Sequence, residues 1–309
     1  MIQFLDQAEV ARRLAAHPAA LLEVMAQALM DLSAGRARAP ARIAAHSPEG
    51  LLAAMPGFVP ASTARASGVL GAKLVTVFPA NAARGLPGHQ ALIALFDGST
   101  GAPLAVLDGE MLTAARTAAV SAVATRTLAR PDARILAVLG TGVQARAHLQ
   151  ALPLVRPFTE IRIAGRSSER ATALAQSTPA ATPATSFEAA VRGADVVCCC
   201  THAPEPILHR PWLSPGAHVN SVGIGGCELD RETLQSGLLA VESLTAFSPF
   251  PAGAFELQGL DPTLGVELGA VLAHHSPGRT SPTQITVFKS VGHAVEDVAA
   301  AHWLCTLAP

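Results

Sequence analysis

The chain has 309 residues, half of them hydrophobic and 15% charged, so it is long enough for two domains with buried cores. Lys and Arg number 22 against 23 Asp and Glu, which argues against nucleic acid or a membrane surface as a partner. No apolar run reaches the roughly 18 residues of a spanning helix, and the five cysteines fit neither a disulfide framework nor a zinc site. We therefore expect a cytoplasmic protein without a bound metal.

Two helices are predicted at the start of the chain. Asp6 and Glu9 stand at the spacing of a capping box, and apolar residues at helical spacing follow as far as Leu29. A break between the helices is expected near Pro18, and Gly35 would end the second helix.

Short apolar runs cut by Pro and Gly follow between Ala39 and Phe96, and they predict β-strands rather than helices. The turn sequence from Asp97 to Gly101 then joins ALIALF to PLAVLD. A turn of this kind links neighbouring antiparallel strands, so this region is expected to form hairpins and a domain of its own.

Three basic residues in this first part of the chain lie in apolar surroundings. They are Arg42, Lys73 within GVLGAKLVTVF, and Arg116 near the start of an apolar helix. A buried cation needs an anion, either a structural carboxylate or a bound substrate, unless the side chain reaches solvent. Two arginines favour a substrate carboxylate, because a guanidinium binds that group with two parallel hydrogen bonds. Lys73 is the candidate for proton transfer, since burial can lower its pKa.

The segment from Arg134 to Leu152 changes from a strand pattern to helical spacing at the turn GTGVQA, which is the GxGxxA form of the dinucleotide fingerprint. Gly140 permits the sharp turn, Gly142 lets the backbone approach a pyrophosphate, and Ala145 allows the helix to pack closely on the strand. The position between a strand and a helix supports a bound dinucleotide over a βα turn without a ligand. The candidate contacts in this turn are Gly140, Thr141, Gly142, Val143 and Gln144.

The next predicted strand, Glu160 to Ala164, leads into Gly165, Arg166 and Ser167. NAD enzymes usually place Asp or Glu there to bind the ribose 2′-hydroxyl, whereas Arg166 and Ser167 would suit a 2′-phosphate. We therefore expect NADP(H) as the preferred cofactor, with NAD(H) still possible. The alternative is that Arg166 is only a surface charge.

Two further strands are predicted at VVCCCT and HVNSVGIGG. The C-terminal ends of the strands form the ligand crevice of a doubly wound sheet, so Thr201, Val222 and Gly223 are candidate cofactor contacts. Residues 228 to 282 are predicted to be helix and Pro/Gly loop. A last strand at QITVFKSVG and a helix from His293 to Leu304 would complete the chain. Four histidines are expected at the surface: His274, His275, His293 and His302.

Taken together, these segments resemble the ornithine cyclodeaminase/mu-crystallin family, and within it the ketimine reductases, over nearly the whole chain. The resemblance is carried by Arg42, GAKLVTVFPAN with Lys73 and Asn81, LTAARTAAVSA with Arg116, GTGVQA, GADVVCCCT, the ELD from Glu228 to Asp230, and TVFKSVGHAVED.

The resemblance implies an α/β protein of two domains. Residues 1–112 and 290–309 would bind substrate and form a homodimer, residues 113–289 would form a doubly wound Rossmann domain, and the C-terminal helix would return to the first domain. It also implies that Arg42, Lys73 and Arg116 bind the substrate, with Lys73 as acid or base. Lys289 and Ser290 would lie near the nicotinamide.

One departure from the family pattern favours one activity. The cyclodeaminases carry an acidic residue two positions after the glycine of the VG segment, where this chain has Gly225. A reductase of a preformed cyclic imine needs only a carboxylate clamp, a proton and a hydride. We therefore expect NAD(P)H-dependent reduction of Δ1-pyrroline-2-carboxylate to L-proline, and of Δ1-piperideine-2-carboxylate to L-pipecolate. An ornithine or lysine cyclodeaminase, an alanine dehydrogenase-like enzyme and a non-catalytic NADPH-binding protein are the alternatives.

Overall fold

The computed structural model describes residues 2–61 and 67–308 of the chain. The chain divides into two compact units, which are described separately. Unit 1 contains Met1–Arg116 and His293–Pro309, and unit 2 contains Thr117–Gly292. The boundaries predicted from the sequence are 112/113 and 289/290.

Unit 1 is built on a six-stranded sheet. Its elements up to the boundary are β1 (Gln3–Leu5), α1 (Gln7–Ala16), α2 (Pro18–Ser33), β2 (Ile43–His46), β3 (Leu51–Val59), β4 (Val69–Val77), β5 (His89–Asp97), β6 (Pro103–Asp108) and α3 (Glu110–Leu128), which continues into unit 2. The strands lie in the order β1-β6-β5-β4-β3-β2. The predicted hairpins are confirmed, because β2 to β6 pair antiparallel in sequence order, whereas β1 pairs parallel with β6.

The turn between β5 and β6 is fixed by a single side chain. The Asp97 carboxylate accepts hydrogen bonds from Ser99 N at 3.0 Å and from Thr100 N at 2.8 Å. Gly101 then adopts a φ of 72°, which favours glycine. The predicted turn is therefore present, and its own residues account for it.

The two predicted N-terminal helices are also present. Asp6 caps α1 by accepting a hydrogen bond from Glu9 N at 2.9 Å. The Glu9 carboxylate binds Arg12 and Arg13 rather than the backbone of the cap, so the predicted capping box is only half formed. Pro18 begins α2, where its missing N–H carries no penalty.

Unit 2 is a doubly wound parallel sheet with helices in its connections, as predicted. Its elements are β7 (Ile135–Leu139), α4 (Val143–Ala151), β8 (Glu160–Ala164), α5 (Ser168–Gln176), β9 (Ala181–Pro183), α6 (Phe187–Val191), β10 (Val196–Cys199), β11 (His218–Ser221), α7 (Arg231–Gln235), β12 (Leu238–Val241), β13 (Gly265–Glu267), α8 (Leu268–Leu272) and β14 (Thr286–Lys289). The order is β13-β12-β14-β11-β10-β7-β8-β9. The chain runs from β7 toward one edge and then, from β10, toward the other, so the strand order reverses between β7 and β10.

The prediction for residues 228–282 was wrong in one respect, because this segment contains the strands β12 and β13. These strands have four and three residues, too few for a periodic pattern to be recognised. They exist because β12 pairs with β14, a strand inside the sheet, and β13 pairs with β12. The predicted strand HVNSVGIGG also ends early, at Ser221.

The last helix, α9 (Ala294–Thr306), returns to unit 1, as predicted. It contacts α2 and the strands β3, β4 and β5. Two glycines of the sheet permit this close approach. A Cβ at Gly57 would lie 3.4 Å from Ala294, and one at Gly71 would lie 2.9 Å from the Val298 side chain. The first turn of α9 is thereby placed in the interior of unit 1.

Candidate active site

Two of the three predicted cations are buried in unit 1 and bind carboxylates of α9. Lys73 Nζ on β4 lies 2.7 Å from Asp297 Oδ2. Arg116 on α3 donates from Nε to Asp297 Oδ1 at 2.8 Å and from Nη1 to Glu296 Oε2 at 2.7 Å. All four side chains are at most 4% exposed. The chain itself therefore supplies the anions that Lys73 and Arg116 need.

The carboxylates are held in place by the start of α9. His293 caps the helix, because its Nδ1 accepts a hydrogen bond from Val295 N, and Glu296 Oε2 accepts one from His293 N. His293 is half-buried and not a free surface residue, so that prediction was wrong. His302 is also half-buried, whereas His274 and His275 are exposed as predicted.

The third cation, Arg42, is half-buried just before β2, and its positive charge acts on Lys73. The pKa of Lys73 is lowered to about 8, chiefly by burial and also by the charges of Arg116 and Arg42, while Asp297 opposes the shift. Burial alone would raise the pKa of Asp297. The positive charges of Arg116 and Lys73 nevertheless hold that pKa below its usual value.

In unit 2 the predicted fingerprint turn lies between β7 and α4. Gly140 has a φ of 127°, and a Cβ there would lie 2.5 Å from the Cys200 carbonyl oxygen, so both conformation and space require glycine. Gly142 is the N-cap of α4 without a side-chain cap, and nothing lies within 4 Å of a Cβ built on it. The N–H groups at this helix end therefore border open space, as a pyrophosphate site requires.

The other predicted residues of this turn fit a ligand in the same way. Gln144 Oε1 is buried without a hydrogen-bond partner, Val143 is 57% exposed, and the Thr141 methyl group packs against Gly165. A buried acceptor without a partner beside an uncapped helix end is what a bound polar group would satisfy. The residues present therefore fit a dinucleotide: the N–H groups of the turn would hold its pyrophosphate, and a donor such as a ribose hydroxyl would satisfy Gln144 Oε1.

Beyond β8, Arg166 is exposed, and Ser167 is the N-cap of α5. The Ser167 hydroxyl accepts a hydrogen bond from Arg170 N at 3.2 Å and donates to Glu169 Oε2 at 2.7 Å. Ser167 is thus engaged in capping its helix, whereas the Arg166 side chain lies at the surface of the strand end where a ribose would bind.

The predicted contacts at the ends of β10, β11 and β14 are bound by three carboxylates. The sequence analysis named Glu228 only as part of the ELD motif and missed Glu242 and Glu256. Glu228 accepts hydrogen bonds from the backbone N–H groups of Thr201, Val222 and Gly223. The buried side chains of Lys289 and Ser290 bind Glu256 at 2.7 Å and Glu242 at 2.5 Å, respectively.

Some of these buried charged residues could have been recognised from the sequence. Lys73 and Lys289 are the only lysines of the chain, and both are buried. Glu296 and Asp297 are charges in an otherwise apolar helix, the same signal that singled out Arg116. Glu242 and Glu256 could not have been recognised in this way, because isolated acidic residues in a segment predicted to be loop are typical of a protein surface.

The three adjacent cysteines of unit 2 are not candidates for chemistry. Burial raises the pKa of the Cys198 thiol to about 12 and raises those of Cys199 and Cys200 as well. Within residues 2–61 and 67–308, no three His, Cys, Asp or Glu side chains are grouped as a metal site requires. No helix in the same ranges has both the length and the apolar character to cross a membrane.

A doubly wound parallel sheet with this fingerprint defines a Rossmann-type dinucleotide-binding protein, here joined to a second α/β unit with a buried cationic cluster. The chain belongs to the ornithine cyclodeaminase/mu-crystallin family, whose model matches residues 2–306. The resemblance stated from the sequence is confirmed.

Relatives of known name are similar over most of the chain. Ketimine reductase mu-crystallin of Mus musculus is 41% identical, covering 82% of this chain and 79% of its own. A Delta(1)-pyrroline-2-carboxylate reductase of Bacillus cereus is 36% identical, covering 79% and 78%. Among solved structures, the Thermococcus litoralis Delta(1)-pyrroline-2-carboxylate reductase in complex with NADH and L-proline has a TM-score of 0.88 and 30% identity, covering 98% of this chain and 96% of that one.

Proposed function

We propose that this protein is an NAD(P)H-dependent reductase of cyclic ketimine carboxylates. Its substrates would be Δ1-pyrroline-2-carboxylate, reduced to L-proline, and Δ1-piperideine-2-carboxylate, reduced to L-pipecolate. The observation that carries the proposal is the buried Lys73, whose pKa is lowered to about 8 beside Arg116 and Arg42. The names of the similar reductases point to the same chemistry.

In this proposal unit 1 binds the substrate. Arg42 and Arg116 would bind its carboxylate through their guanidinium groups. Asp297 bridges Lys73 and Arg116 and so fixes the position of the ammonium group. Lys73 keeps the imine nitrogen protonated or gives it a proton. A bound nicotinamide would supply the hydride for reduction of the C=N bond.

The loop after β11 argues against a cyclodeaminase. Gly225 stands where those enzymes have an acid, and a Cβ built on it would lie 3.6 Å from the Phe250 ring. Two carboxylates that follow this loop in the sequence are already engaged: Glu228 is bound by backbone N–H groups, and Glu256 is paired with Lys289. We therefore do not assign either of them the proton transfer that a cyclodeaminase needs.

A spectrophotometric assay tests the proposal. Purified protein given NADPH or NADH with Δ1-pyrroline-2-carboxylate is expected to oxidise the cofactor. Ammonia release from ornithine or lysine without net cofactor change would identify a cyclodeaminase instead. Turnover of pyruvate with ammonia would identify an alanine dehydrogenase. Tight NADPH binding with no turnover of either imine would indicate a binding protein.

For the cofactor, we propose a preference for NADP(H) through Arg166. Replacing Arg166 with alanine is expected to weaken NADPH binding by about 10-fold or more, the value of a charge-assisted hydrogen bond to a phosphate. Binding of NADH, which lacks the 2′-phosphate, should change less than about twofold. Fluorescence titration measures both constants. Arg170→Ala, an equally exposed arginine in the first turn of α5, is the control, and equal losses for both cofactors would contradict the role of Arg166.

We also propose that the protein is a homodimer joined through unit 1. Exposed apolar side chains on one face of its sheet extend across every strand: Phe4, Ile43, Leu52, Leu70, Leu74, Leu92, Phe96 and Leu104. An apolar face of this extent is typical of a surface that is covered by another chain. A second copy presents the same face and would cover it with twofold symmetry.

A paired substitution tests this interface. Leu74 and Leu92 are cross-strand partners, 42% and 55% exposed. Changing both to glutamate places two like charges in the centre of the face and is expected to convert the dimer into a monomer in sedimentation velocity. Leu154→Glu, at a 43% exposed site of unit 2, should leave the dimer intact. A double variant that sediments as the wild type does would exclude this surface.

The cellular location is proposed from the thiols. All five cysteines are free, and the adjacent Cys198, Cys199 and Cys200 form no disulfide. Free thiols persist in reducing compartments, which agrees with a cytoplasmic protein.

A further inference from the structure

We propose that Glu228 is a positioning residue for the nicotinamide half of the cofactor, because its buried carboxylate fixes the two strand ends over which that half would lie. The inference rests on the proposed cofactor. It concerns the geometry of the crevice, and Glu228 itself touches neither substrate nor cofactor in this scheme.

The Glu228 carboxylate is completely buried and gathers five donors. Its Oε1 accepts hydrogen bonds from the N–H of Thr201 at 2.6 Å and from its hydroxyl at 2.9 Å. Its Oε2 accepts from the Ser221 hydroxyl at 2.8 Å, Val222 N at 3.0 Å and Gly223 N at 2.8 Å. Three of the five are backbone N–H groups, which only donate, and they reach both oxygens, so each oxygen of the side chain must act as an acceptor.

These donors come from two adjacent strands on one side of the crevice. Thr201 follows β10, and Ser221, Val222 and Gly223 end β11, which pairs with β10. The fingerprint turn follows β7, on the other side of the point where the strand order reverses. A dinucleotide lies across that point, with its adenosine half toward β8, where Arg166 lies. Its nicotinamide half then lies toward β10 and β11.

The backbone of Glu228 is also held in place, by Glu256. Its backbone N–H donates to Glu256 Oε2 at 2.7 Å, and the other oxygen of Glu256 binds Lys289 Nζ at 2.7 Å. Gly223 completes the fit, because a Cβ at that position would lie 2.9 Å from the Glu228 carboxyl carbon. The carboxylate therefore has one position, and the N–H groups that it binds are fixed with it.

The test compares the whole cofactor with a fragment that lacks nicotinamide. Glu228→Gln keeps the side-chain shape but turns an amide NH2 toward backbone N–H donors. We expect it to weaken NADPH binding by about tenfold or more, the cost of one buried polar group left unsatisfied. Binding of adenosine 2′,5′-bisphosphate, which has only the adenosine half, should stay within about twofold. Glu232→Gln, an exposed residue of α7, is the matched control and should change neither constant.

Ser221→Ala provides a second variant in case Glu228→Gln does not fold. It removes one of the five donors without changing the charge, and it should weaken NADPH selectively by a smaller factor. Equal weakening of both ligands, or no change in either, would overturn the positioning role. Failure of the wild-type protein to bind NADPH or NADH would instead overturn the proposed function, so the two failures are distinguishable.

Discussion

Replacement of Lys73 by methionine is expected to lower kcat for reduction of Δ1-pyrroline-2-carboxylate by about 100-fold or more, the typical contribution of a positioned acid or base. Methionine has a similar length and no charge, so it fills the buried site but can neither donate a proton nor stabilise a protonated imine. Asp297 keeps Arg116 as its partner in the variant. NADPH binding to unit 2 should stay within about twofold, which separates lost chemistry from lost cofactor.

The pH dependence identifies Lys73 independently of the rate. The ammonium form exists below its pKa of about 8, so kcat/KM of the wild-type protein should fall as the pH rises through that value. Lys73→Met should lose this alkaline inflection and keep only that of the imine itself. Lys73→Arg stays charged at every accessible pH. It should retain activity at high pH if charge alone is needed, and lose activity if a proton is transferred. A wild-type profile in Lys73→Met would exclude Lys73 from the reaction.

Replacement of Arg116 by methionine is expected to change both substrate binding and stability. KM for the imino acid should rise by about 10- to 100-fold, the value of a charge-assisted hydrogen bond to a carboxylate. The free energy of unfolding should fall by about 3–5 kcal/mol, because Glu296 and Asp297 would remain buried after losing their ion pairs with Arg116. Initial-rate kinetics and urea unfolding measure the two effects.

A surface arginine of the same unit provides the control for the stability effect. Arg36 binds Asp31 at 2.7 Å, but its side chain is 57% exposed. Arg36→Met should lower the free energy of unfolding by no more than about 1 kcal/mol and leave KM unchanged. If Arg116→Met were no more destabilising than Arg36→Met, the carboxylates of α9 would not depend on Arg116. An unchanged KM would remove Arg116 from the substrate clamp.

Several features follow from the sequence alone because their causes are local. Asp97 closes its turn with bonds to residues two and three positions away, and Asp6 caps α1 through Glu9 N. The strand, turn and helix around Gly140 and Gly142 follow from a change of apolar period at two glycines. The resemblance to the family depends on motifs of the same local kind. It made the two-domain fold predictable as well.

Only the tertiary structure decided which groups the charged residues meet. The sequence marked Lys73 and Arg116 as cations in need of an anion, but Asp297 lies 181 positions from Arg116. Glu228 likewise gathers N–H groups from two strand ends, and β12 is a strand because β14 lies beside it. Periodicity and turn chemistry act between neighbours in the chain, whereas ion pairs, buried acceptors and short strands depend on which distant segments pack together.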